Sequence, residues 1–318
     1  MILLWGLPDD APLAAVHAAL ERRGESVLFI DQRLLADAAL DLEVGADVRA
    51  SLRFGSRLVD LDDVTAVYVR PYDVRDVQGD DVRTLSFEDA LVCWCELTPA
   101  LVVNRPSAMA SNNSKPYQAA LIRAHGLRTP DTLVTTDPAA AAEFAARHGE
   151  VIYKSVSGVR SIVARLTPAH RDRLANVETC PTQFQERIEG VDVRLHVVGE
   201  TTFACEIESG ADDYRYASRT GDDVRVTPTV LPDEVAERCL ALVDGLGLAV
   251  AGVDLRRRPD GEWFCFEVNP SPGFSFYEAA TGQPIGEAVA ALLAGGPVAG
   301  RYEPMALSSS ALEGARPE

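Results

Sequence analysis

Residues 251–274 read AGVDLRRRPDGEWFCFEVNPSPGF, in which two runs of alternating polar and apolar residues flank a turn signal. Alternation of this kind predicts two β-strands, and the dipeptide Asp260–Gly261 is typical of a two-residue hairpin turn. With these two residues at the centre of the turn, Asp254 lies directly opposite Glu267. The segment therefore predicts a hairpin that brings two carboxylates face to face.

Strand alternation divides the side chains of this hairpin between two faces. The polar face comprises Asp254, Arg256, Cys265, Glu267 and Asn269. The apolar face comprises Val253, Leu255, Phe266 and Val268. In this register Arg256 lies opposite Cys265, and we expect the apolar face to pack on the core.

Two directly opposed carboxylates repel each other unless a shared proton or a cation balances them. Asp254, Glu267 and Asn269 offer only oxygen ligands. Such ligands suit Mg²⁺ or Mn²⁺, especially where nucleotide phosphates complete the shell. The alternative is a solvated acidic face on which Arg256 relieves the repulsion, and the spacing alone leaves both readings open.

Lysine is rare in this chain, since only Lys115 and Lys154 occur among 30 Lys and Arg residues. Lys154 precedes the loop SVSGVRS at 155–161, whose small residues allow backbone N–H groups to approach an anion. A compact ammonium can bridge oxygens of successive phosphates, whereas the planar guanidinium imposes one geometry. The pattern favours a phosphate site, although the loop is not a P-loop and an ordinary turn is the alternative.

The order of predicted elements indicates several lobes. Residues 1–104 begin with a strand, an amphipathic helix and a second strand, which predicts an α/β domain with a parallel sheet. Beyond a polar, turn-rich segment we expect two further lobes, at 105–185 and 186–300. Residues 301–318 lack periodicity, and we expect a disordered tail there.

Composition restricts the partners and the compartment. The net charge of −18 disfavours an extended surface for nucleic acid or for an anionic membrane. No apolar run reaches ~18 residues, and the start MILLWGLPDD lacks the basic region of a signal peptide. Six scattered cysteines without paired CxxC spacing predict reduced thiols in the cytoplasm rather than a zinc site.

Taken in order, the motifs of the chain resemble those of ATP-grasp enzymes from about residue 104 to residue 293. These motifs are Lys115 after an Asn/Ser-rich turn, YKSVSGVRS, QERIEGVDVR, DYRYAS, AGVDL, EVNPSPG and TGQPI. The resemblance is closest to RimK-type carboxylate–amine ligases and their peptide-modifying relatives. It implies an ATP-grasp fold of the α/β class, in which an N-terminal Rossmann-like domain precedes two α+β lobes that enclose a nucleotide cleft.

The resemblance also implies roles for individual residues. The implied ATP contacts are Lys115, Lys154, Ser157, Gly158, Glu186, Arg187, Ile188, Asp192 and Tyr216. The implied ligands of Mg²⁺, or of Mn²⁺, are Asp254, Glu267 and Asn269. The residues expected to contact the transferring phosphoryl group or the lid above it are Arg160, Arg194 and Arg215.

The implied reaction is ATP-dependent activation of a carboxylate as an acyl phosphate, followed by attack of an amine to form an amide. Two alternatives stay open: a peptide-crosslinking ligase of the same superfamily, and an ATP-grasp kinase that stops after phosphorylation. The segments VYVRP and ERIEGVDVR resemble the crosslinking ligases, whereas SPGFSFYEAATGQPI resembles the free-standing amino-acid ligases. Retention of both lysines and all three oxygen ligands disfavours a non-catalytic nucleotide-binding protein.

Two arginines outside the nucleotide motifs suggest what the substrate carries. Arg70 ends the predicted strand VTAVYVR, where ligands of open parallel sheets usually bind, and Arg256 lies on the polar face of the hairpin. Because Arg pairs with carboxylates through two hydrogen bonds, we expect both to bind a small-molecule or peptide carboxylate substrate, which is joined to an amine acceptor. The alternative for Arg70 is a salt bridge to an acid such as Asp73. A homo-oligomer is compatible with these features.

Overall fold

The computed structural model describes residues 1–45, 47–79, 81–156, 163–209 and 224–295. Five of the residues with a predicted site role lie outside these ranges, namely Ser157, Gly158, Arg160, Arg215 and Tyr216. The tail expected at 301–318 also lies outside them. Within the described residues, no helix combines the length and the apolar character that crossing a membrane requires.

The N-terminal part is built on a four-stranded parallel sheet in the order β2-β1-β6-β7. Its strands are β1 (Ile2–Gly6), β2 (Val27–Asp31), β6 (Ala66–Arg70) and β7 (Leu101–Val103). Its helices are α1 (Ala11–Arg22), α2 (Val74–Gln78) and α3 (Val82–Leu97). The strand–helix–strand start predicted from the sequence is confirmed. A separate antiparallel sheet, which the sequence analysis missed, comprises β3 (Ala39–Val44), β4 (Val48–Phe54) and β5 (Arg57–Asp60).

The central part contains an antiparallel sheet in the order β10-β9-β11-β8. Its strands are β8 (Thr132–Thr135), β9 (Val151–Ser155), β10 (Ala164–Arg165) and β11 (Thr182–Glu186). The helices of this part are α4 (Pro106–Met109), α5 (Lys115–Ala124), α6 (Pro138–His148) and α7 (Pro168–Arg171). The strand that carries Lys154, β9, therefore lies inside this sheet, between β10 and β11.

The C-terminal part contains a five-stranded antiparallel sheet in the order β14-β13-β12-β15-β16. Its strands are β12 (Val191–Val198), β13 (Thr201–Ser209), β14 (Val224–Thr229), β15 (Val250–Arg257) and β16 (Trp263–Asn269). Its helices are α8 (Asp233–Gly245), α9 (Ser275–Thr281) and α10 (Ile285–Leu293). Short 3₁₀ segments lie at Gln32–Asp37, Leu61–Asp63, Ala110–Asn113 and Leu174–Thr179.

The hydrophobic cores join the parts of the chain. One face of the N-terminal sheet packs on α3, where Trp5 and Trp94 belong to the same buried cluster. The other face shares a cluster with α1 and α10, in which Leu13 and Ile285 are both fully buried. Helix α5 inserts Ile122 into the core of the C-terminal sheet. The N-terminal sheet and the C-terminal part are therefore held together by a common apolar core.

The hairpin of β15 and β16 differs from its predicted register at the turn. The loop has three residues, because the N–H of Arg258 donates to the carbonyl of Glu262 over 2.8 Å and Gly261 adopts a φ of +89°. A β-bulge between Asp254 and Leu255 compensates for the longer loop. The predicted opposition of Asp254 and Glu267 is consequently confirmed.

Between the turn and the bulge, the predicted pairing is wrong by one residue. Arg256 lies opposite Phe264, and Cys265 lies opposite Leu255 and is fully buried in the core. Phe266 faces the polar side instead, with the guanidinium carbon of Arg256 lying 5.2 Å from the centre of its ring. The extra residue at the bulge thus exchanges the faces of Cys265 and Phe266 and adds an aromatic ring to the polar face.

Candidate active site

The predicted site residues converge on an open cleft between the central sheet and the C-terminal sheet. Its empty space, counted out to the solvent-open mouth, is about 950 Å³. Nine of the residues with predicted roles line it, namely Lys115, Lys154, Glu186, Arg187, Ile188, Asp192, Asp254, Arg256 and Glu267. The other lining residues are the polar Gln185 and six apolar residues, namely Ile152, Val163, Val193, Ile207, Leu255 and Phe266. The cleft therefore offers charged groups at some positions and an apolar slot at others.

Each of the two opposed carboxylates has its own cation. The ammonium of Lys115, the first residue of α5, lies 3.0 Å from a carboxylate oxygen of Glu267. The guanidinium of Arg194, which is paired with Asp254 across β12 and β15, lies 2.6 Å from a carboxylate oxygen of Asp254. These ion pairs reduce the repulsion between the carboxylates. Cations from outside the hairpin, rather than Arg256, therefore provide the balancing charge.

Arg194 is held from several sides although it is charged. Its side chain is only 6% exposed, and its Nε lies 3.4 Å from Nε2 of His196, which can accept the hydrogen bond. Burial and the neighbouring positive charge of Arg194 hold the pKa of His196 well below its usual range, so the ring is neutral. Tyr277 covers both side chains, with its ring centre 4.9 Å from that of His196.

Gly252 of the AGVDL motif makes room for this arrangement. A Cβ atom at this position would lie 2.1 Å from a terminal guanidinium nitrogen of Arg194. Since real Cβ atoms essentially never approach a neighbour so closely, any other residue would displace Arg194. The glycine of the motif is therefore explained by the close packing of an arginine across the strand.

Arg256 connects the hairpin to the segment after β11. It makes a two-pronged hydrogen bond to the carboxylate of Asp192, with distances of 2.7 and 2.9 Å. Another of its nitrogens donates to the carbonyl of Ile188 over 2.8 Å. These contacts favour a role in shaping the cleft, whereas the substrate contact expected for Arg256 stays a prediction.

The segment from Glu186 to Ile188 passes from the central sheet to the C-terminal sheet along the cleft. The N–H of Glu186 donates to the carbonyl of Asp131 over 2.9 Å, and the N–H of Arg187 donates to the carbonyl of Glu150 over 3.0 Å. The described residues offer no acceptor to the N–H of Ile188. Ile188 also lines the cleft, so its N–H is a candidate donor for a bound ligand.

Lys154 enters the cleft from the wall opposite Lys115. It projects from β9, and its ammonium lies 3.4 Å from the side-chain carbonyl oxygen of Gln185 on the neighbouring strand. The loop that follows Lys154 lies outside the described residues from position 157 to position 162. The structure thus brings the only two lysines of the chain to one cleft from two different parts of the fold.

Arg70 lies away from the lining of the cleft. Its side chain is 9% exposed and forms an ion pair with Asp10, with 2.7 Å between Nε and a carboxylate oxygen. It also donates to the hydroxyl of Ser271 and to the carbonyl of Pro272, both over 3.1 Å. The partner acid is therefore Asp10 rather than the nearby Asp73, and the geometry favours a structural role over the predicted substrate contact.

One other cluster of possible metal ligands, Asp131, His148 and Glu186, occurs in the part of the chain that the structure describes. Arg123 donates to Asp131 over 3.1 Å, and Arg147 donates to Nε2 of His148 over 3.3 Å. The N–H of Asp131 donates to Glu186. These hydrogen bonds are sufficient to explain why the three side chains lie close together, and no metal ion is needed to explain it.

Comparison with protein families supports the geometry. The family model described as the RimK-like ATP-grasp domain matches residues 111–293. The chain belongs to the RimK-like ATP-grasp family. The resemblance stated from the motifs is thereby confirmed, and the matched range spans the metal-ligand and nucleotide positions predicted above, whose roles stay predictions.

Among curated proteins, the chain is similar to members of the RimK-like ATP-grasp family named "Probable alpha-L-glutamate ligase". The protein from Marinobacter nauticus is 26% identical over 204 residues, which are 60% of this chain and 66% of that protein. The protein from Aliivibrio salmonicida is 27% identical over the same shares. The chain thus aligns with slightly less than two thirds of the length of these relatives.

Solved structures of ATP-grasp proteins share the fold over nearly the whole chain. The macrocyclase MdnC from Microcystis aeruginosa, bound with the precursor peptide MdnA, has a TM-score of 0.77 at 23% identity and aligns with 92% of this chain and 98% of MdnC. The ATP-grasp ligase PsnB, complexed with its minimal precursor, Mg and ADP, has a TM-score of 0.75 at 27% identity and aligns with 92% and 96%. The predicted ATP-grasp fold is therefore confirmed, including its N-terminal domain.

Proposed function

We propose that this protein is an ATP-dependent carboxylate–amine ligase that forms an amide through an acyl-phosphate intermediate. The observation that carries the proposal is the convergence of the two lysines, the opposed carboxylates and the Glu186–Ile188 segment on one cleft. Positive charge on two walls suits a polyphosphate, and the family of the chain consists of ATP-grasp proteins. The named relatives among curated proteins are ligases.

In the proposed complex, the base of ATP lies in the apolar part of the cleft. Ile152 on the central side and Phe266 on the C-terminal side would pack on its faces. The N–H of Ile188 would donate a hydrogen bond to the edge of the base. The base would then contact both the central sheet and the C-terminal sheet, which requires the two sheets to stay in their present relative positions.

The proposed metal site consists of Asp254, Glu267 and Asn269, and their donor chemistry fits Mg²⁺ because all three supply oxygen. Asp254 and Glu267 line the cleft, and Asn269 ends the same strand as Glu267. When bound, the metal would neutralise phosphate charge during transfer. The salt bridges to Lys115 and Arg194 hold the two carboxylates in place.

Charged side chains of the protein would stabilise the charge that develops during the two chemical steps. An oxygen of the substrate carboxylate attacks the γ-phosphorus of ATP, and the bond to ADP breaks. Lys154 and Arg194 would neutralise the charge that moves onto the phosphate oxygens. An amine then attacks the acyl carbon, loses a proton and expels phosphate, which completes the amide. The predicted contacts from Arg160, Arg215 and Tyr216 belong to the same step and stay proposals.

A second candidate is a ligase that acts on a peptide. It is favoured by the likeness to PsnB, a ligase solved in complex with its minimal precursor, which is 27% identical and aligns with 92% of this chain. Both candidates use the same nucleotide site and the same acyl phosphate. They differ in whether the carboxylate and the amine belong to free amino acids or to peptides.

The compartment proposed for this activity is the cytoplasm. All six cysteines are unpaired, which is typical of proteins from reducing compartments. Four of them are buried, so they would not react readily with oxidants. A homo-oligomer remains compatible with the proposed activity.

Mass spectrometry of a reaction with ATP, Mg²⁺, pooled amino acids and peptides tests the proposal. Ligation gives a product at the summed mass of two substrates minus water, together with ADP and phosphate. A crosslinking ligase instead gives a peptide that has lost water. A product that is heavier by one phosphoryl group, without subsequent ligation, would show a kinase and would contradict the proposed function.

A further inference from the structure

The end of β16, which carries the proposed metal ligands Glu267 and Asn269, lies at the edge of its sheet. Its neighbour on one side is β15, and in the described residues no strand flanks Val268 and Asn269 on the other side. Backbone groups at a sheet edge are normally bonded to water or to another chain. The geometry here points to a different solution, in which buried side chains from outside the C-terminal sheet bind this backbone.

Gln118 of α5 binds the backbone of Val268 with both ends of its amide. Its Nε2 donates to the carbonyl of Val268 over 2.8 Å, and its Oε1 accepts from the N–H of Val268 over 2.9 Å. The side chain is only 2% exposed. Gln118 therefore replaces a missing strand at the residue between the two proposed metal ligands.

Asn104, which follows the last strand of the N-terminal sheet, binds the next part of the segment. Its Nδ2 donates to the carbonyl of Pro270 over 2.6 Å and to the carbonyl of Val250 over 2.7 Å. Its Oδ1 accepts from the N–H groups of Ala249 and Val250 over 2.8 and 3.2 Å. This amide is 2% exposed and ties the start of β15 to the end of β16.

Arg70 extends the same set of contacts from the N-terminal sheet. Its hydrogen bonds to Ser271 and Pro272 hold the two residues that follow Pro270. Asn269 itself accepts a hydrogen bond from the N–H of Ser271 over 2.9 Å, so a shift of Ser271 would also turn the Asn269 amide. Side chains from β6, from the residue after β7 and from α5 thus hold the backbone from position 268 to position 272.

We propose that Gln118, Asn104 and Arg70 are positioning residues for Glu267 and Asn269, and that they set the affinity of the nucleotide-loaded site for its divalent metal. This inference rests on the proposed function, because it takes Glu267 and Asn269 as metal ligands. Metal affinity depends steeply on groups that orient the ligands, and losing one typically costs about 10- to 100-fold. The N-terminal domain would then contribute to metal binding without supplying any ligand.

The test measures Mn²⁺ binding to the ADP-loaded full chain by electron paramagnetic resonance, which counts free Mn²⁺ and needs no turnover. The protein is kept in excess over ADP, so that little unbound ADP competes for the metal. Gln118→Met keeps the volume and removes both hydrogen bonds. We expect it to raise the dissociation constant for Mn²⁺ about tenfold or more, while the affinity for metal-free ADP stays unchanged. Asn104→Ala should behave in the same way, and if it fails to fold, Gln118→Met decides the question.

Gln283→Met is the matched control. Gln283 is 1% exposed and donates to the carbonyl of Ala204 over 3.0 Å, so its loss also removes a buried amide from the C-terminal part. We expect it to lower thermal stability and to leave Mn²⁺ binding at the parent value. Equal weakening of Mn²⁺ binding in Gln118→Met and Gln283→Met would overturn the inference, since general destabilisation would explain both.

Glu267→Gln separates a failure of the inference from a failure of the proposed function. If this variant binds Mn²⁺ as the parent does, or if the parent binds none, the assignment of Glu267 as a metal ligand is wrong. The inference about the positioning residues is then wrong as well. If the parent binds Mn²⁺, Glu267→Gln does not, and Gln118→Met binds it as tightly as the parent, the inference alone is overturned. Selective weakening in Gln118→Met supports both.

Discussion

At the scale of single residues, lysine usage is the most informative feature of the chain. Lys115 and Lys154 line one cleft although they lie in different parts of the fold. Elsewhere the chain uses arginine as its cation, so the ammonium group itself is indicated at these positions. Composition singled out both lysines, the resemblance to ATP-grasp enzymes supplied the role of Lys115, and the nucleotide contacts of both stay predictions that can now be tested.

Lys154→Arg should impair ATP binding almost as much as Lys154→Ala, although it keeps the charge. The planar guanidinium cannot occupy the space of a compact ammonium between phosphate oxygens. Since a charged hydrogen bond contributes about 1.5–3 kcal/mol, we expect both variants to lose about tenfold or more in ATP affinity by calorimetry. Arg258→Lys on the exposed hairpin turn is the control and should bind as the parent does. Parent-like affinity in Lys154→Arg would identify Lys154 as an ordinary surface cation.

Arg70→Ala should lower stability in addition to its expected effect on metal binding. Removing the arginine leaves the buried carboxylate of Asp10 without its cation, and breaking a buried pair in this way costs about 3–5 kcal/mol. The double variant Asp10→Asn/Arg70→Ala should recover part of the loss in chemical denaturation. If Arg70→Ala instead keeps its stability and raises the Michaelis constant for the carboxylate substrate alone, the substrate contact predicted from the sequence would be supported.

At the scale of elements, the hairpin of β15 and β16 shows what sequence patterns can determine. The opposition of Asp254 and Glu267 was predicted correctly, but from a two-residue turn that does not form. The three-residue loop and the bulge shift the pairing of β15 with β16 by one residue each, in opposite directions, so the predicted pairing is correct on the far side of the bulge. Between the loop and the bulge the predicted pairing is wrong by one residue. For this reason Cys265 and Phe266 lie on the faces opposite to those predicted. Alternation alone cannot reveal a bulge, because both faces of this segment contain apolar residues.

Contacts between elements were harder still to predict. The partner acid of Arg70 is 60 positions away, Asn104 contacts a residue that follows it by 166 positions, and Gln118 contacts one that follows it by 150 positions. Local patterns carry no information about such pairs, since any acid or carbonyl in another element would serve equally well. The motifs resembling a known family supplied the ligands of the site, but the residues that hold those ligands became visible only in the packed fold.

Gly252→Ala tests the packing of β12 against β15. The added Cβ would displace Arg194, so its contact with Asp254 should be lost. We expect turnover to fall about tenfold or more while affinity for ADP is retained, because Arg194 is assigned to the transferring phosphoryl group. Gly45→Ala is the control, since the nearest atom to its added Cβ is 3.9 Å away. Turnover within about twofold of the parent would remove Arg194 from the proposed chemistry.

At the scale of the whole molecule, the N-terminal sheet and the C-terminal part share a buried cluster and should unfold together. Leu13→Ala opens a cavity in that cluster and should cost about 2–5 kcal/mol. Tryptophan fluorescence, which includes Trp5 and Trp94 of the N-terminal core, and far-ultraviolet circular dichroism should report the same lowered denaturation midpoint. Separate midpoints for the two signals would show that the N-terminal domain unfolds independently.

The placement of the lysines also makes the cleft selectively addressable by chemical labelling. Reagents that acylate lysine amines find only two side chains in the sequence, and both line the proposed nucleotide site. The extent of labelling at these two positions, read by peptide mapping with and without ATP, would therefore serve as a footprint of site occupancy. Because the chain contains so few lysines, labelling of lysine elsewhere on its surface would add almost no background to this measurement.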